Sequence, residues 1–386
     1  MRIAFYAPLK PPTHPVPSGD RRMARLLMAA LSRANHRVEL ATRFRSRDGI
    51  GDPDRQKALA ELGRHMAARL VRQYQTRPDA ERPELWFTYH LYYKAPDWLG
   101  PSVATALDIP YVVAEASHAN KRAAGAWAIG HAGAAEGIRR AEAIISLNPN
   151  DMVGLAGVTD RNAILVMLKP FLDGADFSAA ANRRTELRTD LAKRFGLNLG
   201  APWLLTVAMM REGDKLASYQ VLGSALSALR DRPWQLLVVG DGPARAAVEQ
   251  ALGGLGRSRV HFAGARLPEE LPGFYAPADL LVWPAVNEAY GMALIEAQAA
   301  GVPVVAGAAG GVPTIVANER TGLLTPPGDA AAFAAAVRVL LDDSERRRAM
   351  GETARELVAA DHDIGAAARI LDRTMQDAVN RHRRRQ

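Results

Sequence analysis

Short apolar runs rich in Val, Ile and Leu punctuate the chain, and longer stretches with helical spacing separate them. In the first half the runs fall at 3–7, 38–41, 85–89, 111–114, 143–147 and 163–168; in the second they fall at 203–208, 235–239, 260–263, 280–283 and 302–306. They are apolar at successive positions and do not alternate, the pattern of strands covered on both faces. Strands alternating with helices predict parallel βαβ units. The pattern occurs twice, so the fold class expected is α/β, with two Rossmann-like doubly wound parallel-sheet domains facing an interdomain cleft. The expected division is 1–177, 178–363, and a C-terminal helix with a basic tail at 364–386 that is free to cross back to the first domain. Segments 169–173 and 178–181 read as a connector, and 184–195 as the helix that opens the second domain. Doubly wound domains bind ligands beyond the carboxyl ends of their strands, so the loops after the strands are where chemistry is expected.

Composition narrows the function classes. The 386 residues suffice for two cores, and the absence of cysteine excludes a disulfide scaffold, a thiolate metal site and a cysteine nucleophile. The first strand begins beside the initiator, and no run approaches the ~18 apolar residues of a membrane span, so a cytoplasmic protein is expected. Net charge is +8, with basic residues concentrated at 43–64 and 381–385. Aromatics are only 6% and do not interleave with these clusters, so no nucleic-acid partner is expected. Segment 57–76 carries Leu59, Leu62, Met66, Leu70 and Tyr74 at helical spacing, with Arg64, Arg69 and Arg72 elsewhere on the helix. It reads either as a helix packed on the sheet with a solvated basic face, or as a peripheral contact for an anionic membrane surface, aided by Arg383–Arg385.

The strongest chemical signal is the segment from Asn287 to Glu296, directly after the run at 280–283. A helix starting near Gly291 would turn its free N–H groups, at Tyr290, Gly291, Met292 and Ala293, and the positive end of its dipole toward a phosphate. Glu288 precedes that helix. Glu296 lies about 80° around the axis from it, so both carboxylates could face one ligand; alternatively they are ordinary helix-start and solvated residues. Arg211 and Lys215, after the run at 203–208, could neutralise a diphosphate without a metal, or belong to a solvated turn with Arg211 paired to Asp214. Gly19 follows the proline-rich loop after the first strand, where Ser18 or Asp20 can cap a helix. His118 follows the run at 111–114; Tyr89, His90 and Tyr92 follow the run at 85–89. Gly240-Asp241-Gly242 marks a βα turn but lacks the third glycine of a dinucleotide fingerprint. Asp52-Pro53-Asp54 and Asp361-His362-Asp363 resemble a metal-binding D-x-D but follow no strand, so no metal is expected.

Four segments then carry a resemblance: Glu288-x7-Glu296, Gly301-Val302-Pro303-Val304-Val305, Gly310-Gly311-Val312-Pro313, and Thr321 through Asp329. In order and spacing they resemble glycosyltransferase family 4, retaining enzymes of the GT-B fold. Thr314 departs from the Glu usual after Gly-Gly-x-Pro, and the loop bearing Arg211 and Lys215 is shorter than usual. The resemblance implies transfer of a sugar from a nucleoside-diphosphate sugar of UDP or GDP type to a glycan, lipid-linked or small-molecule acceptor, with no further cofactor. It implies catalytic roles for Glu288, His118, Lys215 and Arg211. Donor contacts are implied for Gly19, Tyr290, Gly291, Met292, Ala293 and Glu296, with Gly264, Ala265 and Arg266 beside the nucleobase. Tyr89, His90 and Tyr92 stand as acceptor-side residues. The alternatives are an epimerase or phosphorylase of the same fold, or a non-catalytic accessory subunit.

Overall fold

The computed structural model describes every residue except Pro17, Ala289, Tyr290 and Gln386. It divides into two compact units, Met1–Lys169 with Ile364–Gln386, and Pro170–Asp363. The division falls earlier than the expected 177/178 boundary. The reason is local: Leu172 bridges to Asp363, and the Phe177 ring packs 5.8 Å from that of Tyr275. Segment 178–181, expected as connector, lies within a helix, Ala175–Asn182. Alanine at three of those four positions favours that outcome.

The first unit holds β1 (Arg2–Tyr6), β2 (Arg37–Leu40), β3 (Leu85–Leu91), β4 (Tyr111–Ala116), β5 (Ala143–Ser146) and β6 (Ile164–Met167). The sheet order is β2-β1-β3-β4-β5-β6, and every pairing is parallel. Connections from β1 therefore run one way to β2, and the next connection runs the other way to β3. That reversal opens the sheet's switch point between the carboxyl ends of β1 and β3. The inner strands are buried along their length, but β6 leaves Leu165 and Met167 each 38% exposed. Two-faced coverage fails there because β6 is an edge. Helix Ile364–Arg383 returns to this unit, packing on helix Gly19–Arg33 and beside β6. Its end is fixed by His382 against Glu142 (3.1 Å) and Asp108 (3.2 Å), and by Arg385 against Asp160 (2.6 Å).

Helix Pro53–Gln75 buries Ala67, Leu70 and Tyr74, and Gly63 sits so close to Trp98 that a Cβ there would meet it at 2.4 Å. Arg64, Arg69 and Arg72 are exposed. Asp52 proves to be the N-cap of this helix, accepting from the amides of Asp54 (2.9 Å) and Arg55 (3.3 Å). Capping explains that carboxylate without a metal role.

The second unit holds β7 (Trp203–Val207), β8 (Gln235–Val239), β9 (Val260–Gly264), β10 (Leu280–Trp283), β11 (Val304–Gly307) and β12 (Gly322–Thr325), in the order β12-β11-β10-β7-β8-β9. All pairings are parallel, and the switch point lies between β7 and β10. The amino-terminal side of that seam is tied by Asp279. Its carboxylate accepts from the Trp203 amide (2.7 Å), Arg184 (2.7 Å) and Arg188 (2.9 Å), anchoring helix Arg184–Phe195 to the sheet. Trp203, Trp234, Tyr219 and Tyr275 fill the core, each stabilising by about 1.5–3 kcal/mol through buried apolar area.

Candidate active site

Chain reversal at β7 and β10 brings the loops after these two strands together. From the first comes Lys215, in the opening turn of helix Asp214–Ser227; from the second comes Glu288. Their side chains form an ion pair, and the Trp283 indole N–H donates to the same Glu288 oxygen at 3.1 Å. Lys215 also lies over the Trp283 ring, 5.3 Å from its centroid. Glu288 is 15% and Lys215 30% exposed, so the pair is screened from bulk water yet open to a ligand.

The loop itself is cross-braced. Asn287 donates to Asp214 at 2.9 Å, and the Val286 amide donates to Ser218 Oγ at 3.0 Å. Its backbone is unusual: Ala285 (φ 52°), Asn287 (φ 54°) and Gly291 (φ 70°) are left-handed. For Ala285 that conformation costs roughly 1–2 kcal/mol. Such strain persists only where surrounding contacts fix it, and here it aims Glu288 and the following helix.

That helix is Met292–Ala299, with Gly291 as N-cap and no side-chain cap on its first turn. First-turn amides have no intrahelical acceptor, so the positions of Gly291, Met292 and Ala293 present donors and the positive dipole end. Tyr290, assigned with them from the sequence, lies outside the described residues. Glu296 is only 2% exposed and accepts from the Tyr275 phenol at 2.7 Å, so it is not a solvated helical residue. Glu288 and Glu296 thus belong to one loop-helix segment but rest on different neighbours.

The remaining assignments in this unit divide. Arg211 is exposed, and among the described residues its guanidinium makes no ion pair; Asp214, its expected partner, is engaged with Asn287. Gly240 lies where a Cβ would come 1.9 Å from the Ala208 carbonyl, and its amide donates to Gly264 O at 2.9 Å, so the β7, β8 and β9 loop ends are held in contact. Gly264 is left-handed and open to approach, and Ala265 follows it. Arg266 is turned onto its own neighbours: it donates to the Ala263 carbonyl, lies 3.7 Å from Glu270, and stacks 5.4 Å over Phe274. Thr314 donates to the Gly311 carbonyl at 2.6 Å, a local turn contact.

In the first unit, Gly19 opens helix Gly19–Arg33, capped by Ser18 Oγ accepting from the Arg21 amide, and nothing lies within 4 Å of where a Cβ would stand. Asp20, in the first turn of that helix, lies 3.2 Å from His90 Nδ1 across the β1/β3 switch point. Arg21 is occupied by the His14 carbonyl at 2.8 Å. Glu115, at the end of β4, lies 4.0 Å from the same imidazole, and both His90 (φ 65°) and Glu115 (φ 58°) are left-handed. Burial pushes His90 down, but Glu115 and Asp20 outweigh it and hold the imidazole above the ordinary histidine value. The hydrogen bond to His90 holds Asp20 below the usual carboxylate range, while burial raises Glu115. Tyr89 and Tyr92 flank the ring, with centroids 5.7 and 5.0 Å away. The sequence points to the histidine; Asp20, in the first turn of helix Gly19–Arg33, and Glu115, at the end of β4, are joined to it by the fold.

His118 is half-buried, 4.6 Å from the His131 ring, and burial followed by His131 pushes its imidazole below the ordinary value. It is therefore a neutral donor or acceptor near pH 7. Among the described residues no group of three or more His, Asp or Glu is arranged to hold a metal ion.

Comparison with known proteins agrees with this geometry. Residues 201–343, from β7 through the helix Ala330–Asp342, match the family described as Glycosyl transferases group 1. The chain is 35% identical over 223 residues to a D-inositol 3-phosphate glycosyltransferase of Corynebacterium kroppenstedtii, covering 55% of this chain and 48% of that protein. It is 32% identical over 244 residues to an alpha-D-kanosaminyltransferase of Streptomyces kanamyceticus, covering 62% of this chain and 60% of that protein. The chain thus spans about half to three-fifths of the length of these relatives. Among solved structures, a sucrose-phosphate synthase of Thermosynechococcus elongatus superposes with a TM-score of 0.71 at 22% identity, over 97% of this chain and 98% of that one. Anabaena HepE in complex with UDP also gives 0.71, at 16% identity, over 97% and 100%. The chain has the GT-B fold, and residues 201–343 of its second unit match the glycosyl transferases group 1 family.

Proposed function

We propose that the chain is a metal-independent retaining glycosyltransferase that moves a sugar from a nucleoside-diphosphate sugar to a glycan, lipid-linked or small-molecule acceptor. The observation that carries the proposal is the Lys215–Glu288 pair at the β7/β10 switch point, beside the uncapped amino end of helix Met292–Ala299. The relatives' names add support: HepE was crystallised with UDP and with UDP-glucose, and two curated relatives are glycosyl-transferring enzymes.

On this reading the diphosphate takes the first-turn amides, Lys215 and Arg211, and the donor sugar's hydroxyls take Glu288. Glu296, steadied by Tyr275, accepts from the ribose. Gly264 and Ala265 flank the base through their backbone; Arg266 is already engaged and contributes through its backbone as well. As the bond from the anomeric carbon to the phosphate oxygen breaks, charge grows on the leaving diphosphate, and the fixed donors stabilise it. The acceptor oxygen bonds to the anomeric carbon on the face the phosphate leaves, and its proton passes to a phosphate oxygen. Neutral His118 hydrogen-bonds the donor sugar, and Tyr89, His90 and Tyr92 serve the acceptor. The exposed Arg64, Arg69 and Arg72 face supports peripheral contact with an anionic membrane on the cytoplasmic side; no helix of the described residues is long and apolar enough to cross one.

Calorimetric titration with UDP, GDP and their sugars tests the donor assignment, and release of free nucleoside diphosphate only when acceptor is present tests transfer. Release without acceptor or interconversion of donor sugars would support an epimerase or phosphorylase. A cell phenotype on deletion that Glu288→Gln does not reproduce would support an accessory subunit.

A further inference from the structure

At the opposite end of β10 from Glu288, the second unit has a cavity of about 330 Å³. Its wall includes Ala278 and Asp279, which precede β10, and Pro303, which precedes β11. It therefore lies at the amino ends of the strands, whereas Glu288 follows their carboxyl ends. The four-residue strand puts these ends roughly 13 Å apart.

Four guanidinium groups line this cavity: Arg184, Arg347, Arg348 and Arg355. Only two carboxylates face them, Asp279 and Glu352. Asp279 is consumed by Arg184, Arg188 and the Trp203 amide. Arg347 donates to the Leu340 and Leu341 carbonyls, which leaves Arg348 and Arg355 against Glu352. Among the described residues Arg348 and Arg355 make no ion pair, and with Ser344 and Glu352 they share a face of helix Ser344–Asp361, at successive spacings of four, four and three residues. Burial chiefly, with smaller contributions from Arg188 and Arg347, holds Arg184 below the ordinary arginine value against the pull of Asp279.

We propose that this cavity is a second anion site, separate from the donor site, that takes a small soluble phosphomonoester. Planar guanidinium forks match phosphate oxygens in pairs. The volume is at the lower end of ligand pockets, suited to a sugar phosphate and small for a nucleotide sugar. No large exposed apolar side chain lines it, so nothing there would enter a bilayer.

The test uses the full chain and glucose 6-phosphate as probe, titrated by calorimetry. Wild type binds; Arg348→Ala with Arg355→Ala weakens binding at least tenfold while UDP affinity and thermal midpoint stay unchanged. Glu352→Gln strengthens it, and Lys215→Ala leaves it unaltered. Absence of binding at millimolar probe overturns the proposal. So does binding lost with Lys215→Ala but kept in the double arginine variant, which would place the phosphate in the donor site. Phosphatidylglycerol vesicles that bind through Arg348 and Arg355, when the soluble probe does not, would overturn it in favour of a lipid headgroup.

Discussion

Replacing Gly291 with alanine tests the loop that carries Glu288 into the helix. At φ 70° an alanine costs roughly 1–2 kcal/mol in backbone strain. Its Cβ would also stand 2.8 Å from Leu294 Cδ1 and 3.0 Å from Cγ. Leu294 is fully buried in the second unit's core, so it cannot swing aside, and overpacking adds about 1–3 kcal/mol. The total is about 2–5 kcal/mol. At about 2–4 °C per kcal/mol for a unit of this size, the second unit's thermal midpoint should fall by roughly 4–20 °C. Gly264→Ala is the control: its φ is 75°, but no atom lies within 4 Å of the new methyl, so only the strain remains. Circular dichroism melts of both variants, with UDP titration where they stay folded, make the comparison. Gly291→Ala should also weaken UDP binding, because relieving the clash moves the first-turn amides. If it melts no lower than Gly264→Ala, the buried Leu294 does not constrain the loop and the reasoning is wrong.

On the proposed function Lys215→Ala removes a cation from the leaving diphosphate and, among the described residues, leaves Glu288 held by the Trp283 indole alone; turnover should fall by roughly 10²–10³, with little change in the melt. A turnover loss below threefold in steady-state assays would contradict the role. His90→Gln tests the first unit's switch point. His90 is raised above 6.5, so its stabilisation is complete below about pH 6.5 and disappears as pH rises through the folded value. Asp20 is depressed below 3.8, so its share is present above that pH and is lost only as pH falls through the lower folded value. Melts should therefore show wild type ahead of His90→Gln near pH 5.5, with the gap closing by pH 9. A gap that widens with pH would mean that Asp20 and Glu115 do not hold the imidazolium.

Much of the architecture is written in the apolar runs, because inner parallel strands are buried on both faces. The strand β12 escaped that reading: Gly322-Leu323-Leu324-Thr325 is a short edge strand with only two large apolar residues, flanked by Thr321 and Pro326. The same edge effect leaves Leu165 and Met167 half in water. At the site, Glu288 and Lys215 are legible because sequence spacing puts each just after a strand. Topology then brings those strands together. The Asp20–His90–Glu115 cluster was not legible, since it depends on two left-handed backbone positions that an Ala-Glu-Ala or Tyr-His-Leu triplet does not announce. Likewise nothing in the sequence around Arg266 announces that its side chain packs over Phe274 and donates to the Ala263 carbonyl.

The most direct test of the account is a crystal structure of the chain soaked with UDP or GDP. The diphosphate should lie within about 2.7–3.2 Å of the Met292 and Ala293 amides and of the Lys215 ammonium. A well-ordered nucleotide with its phosphates elsewhere, and these groups untouched, would contradict it.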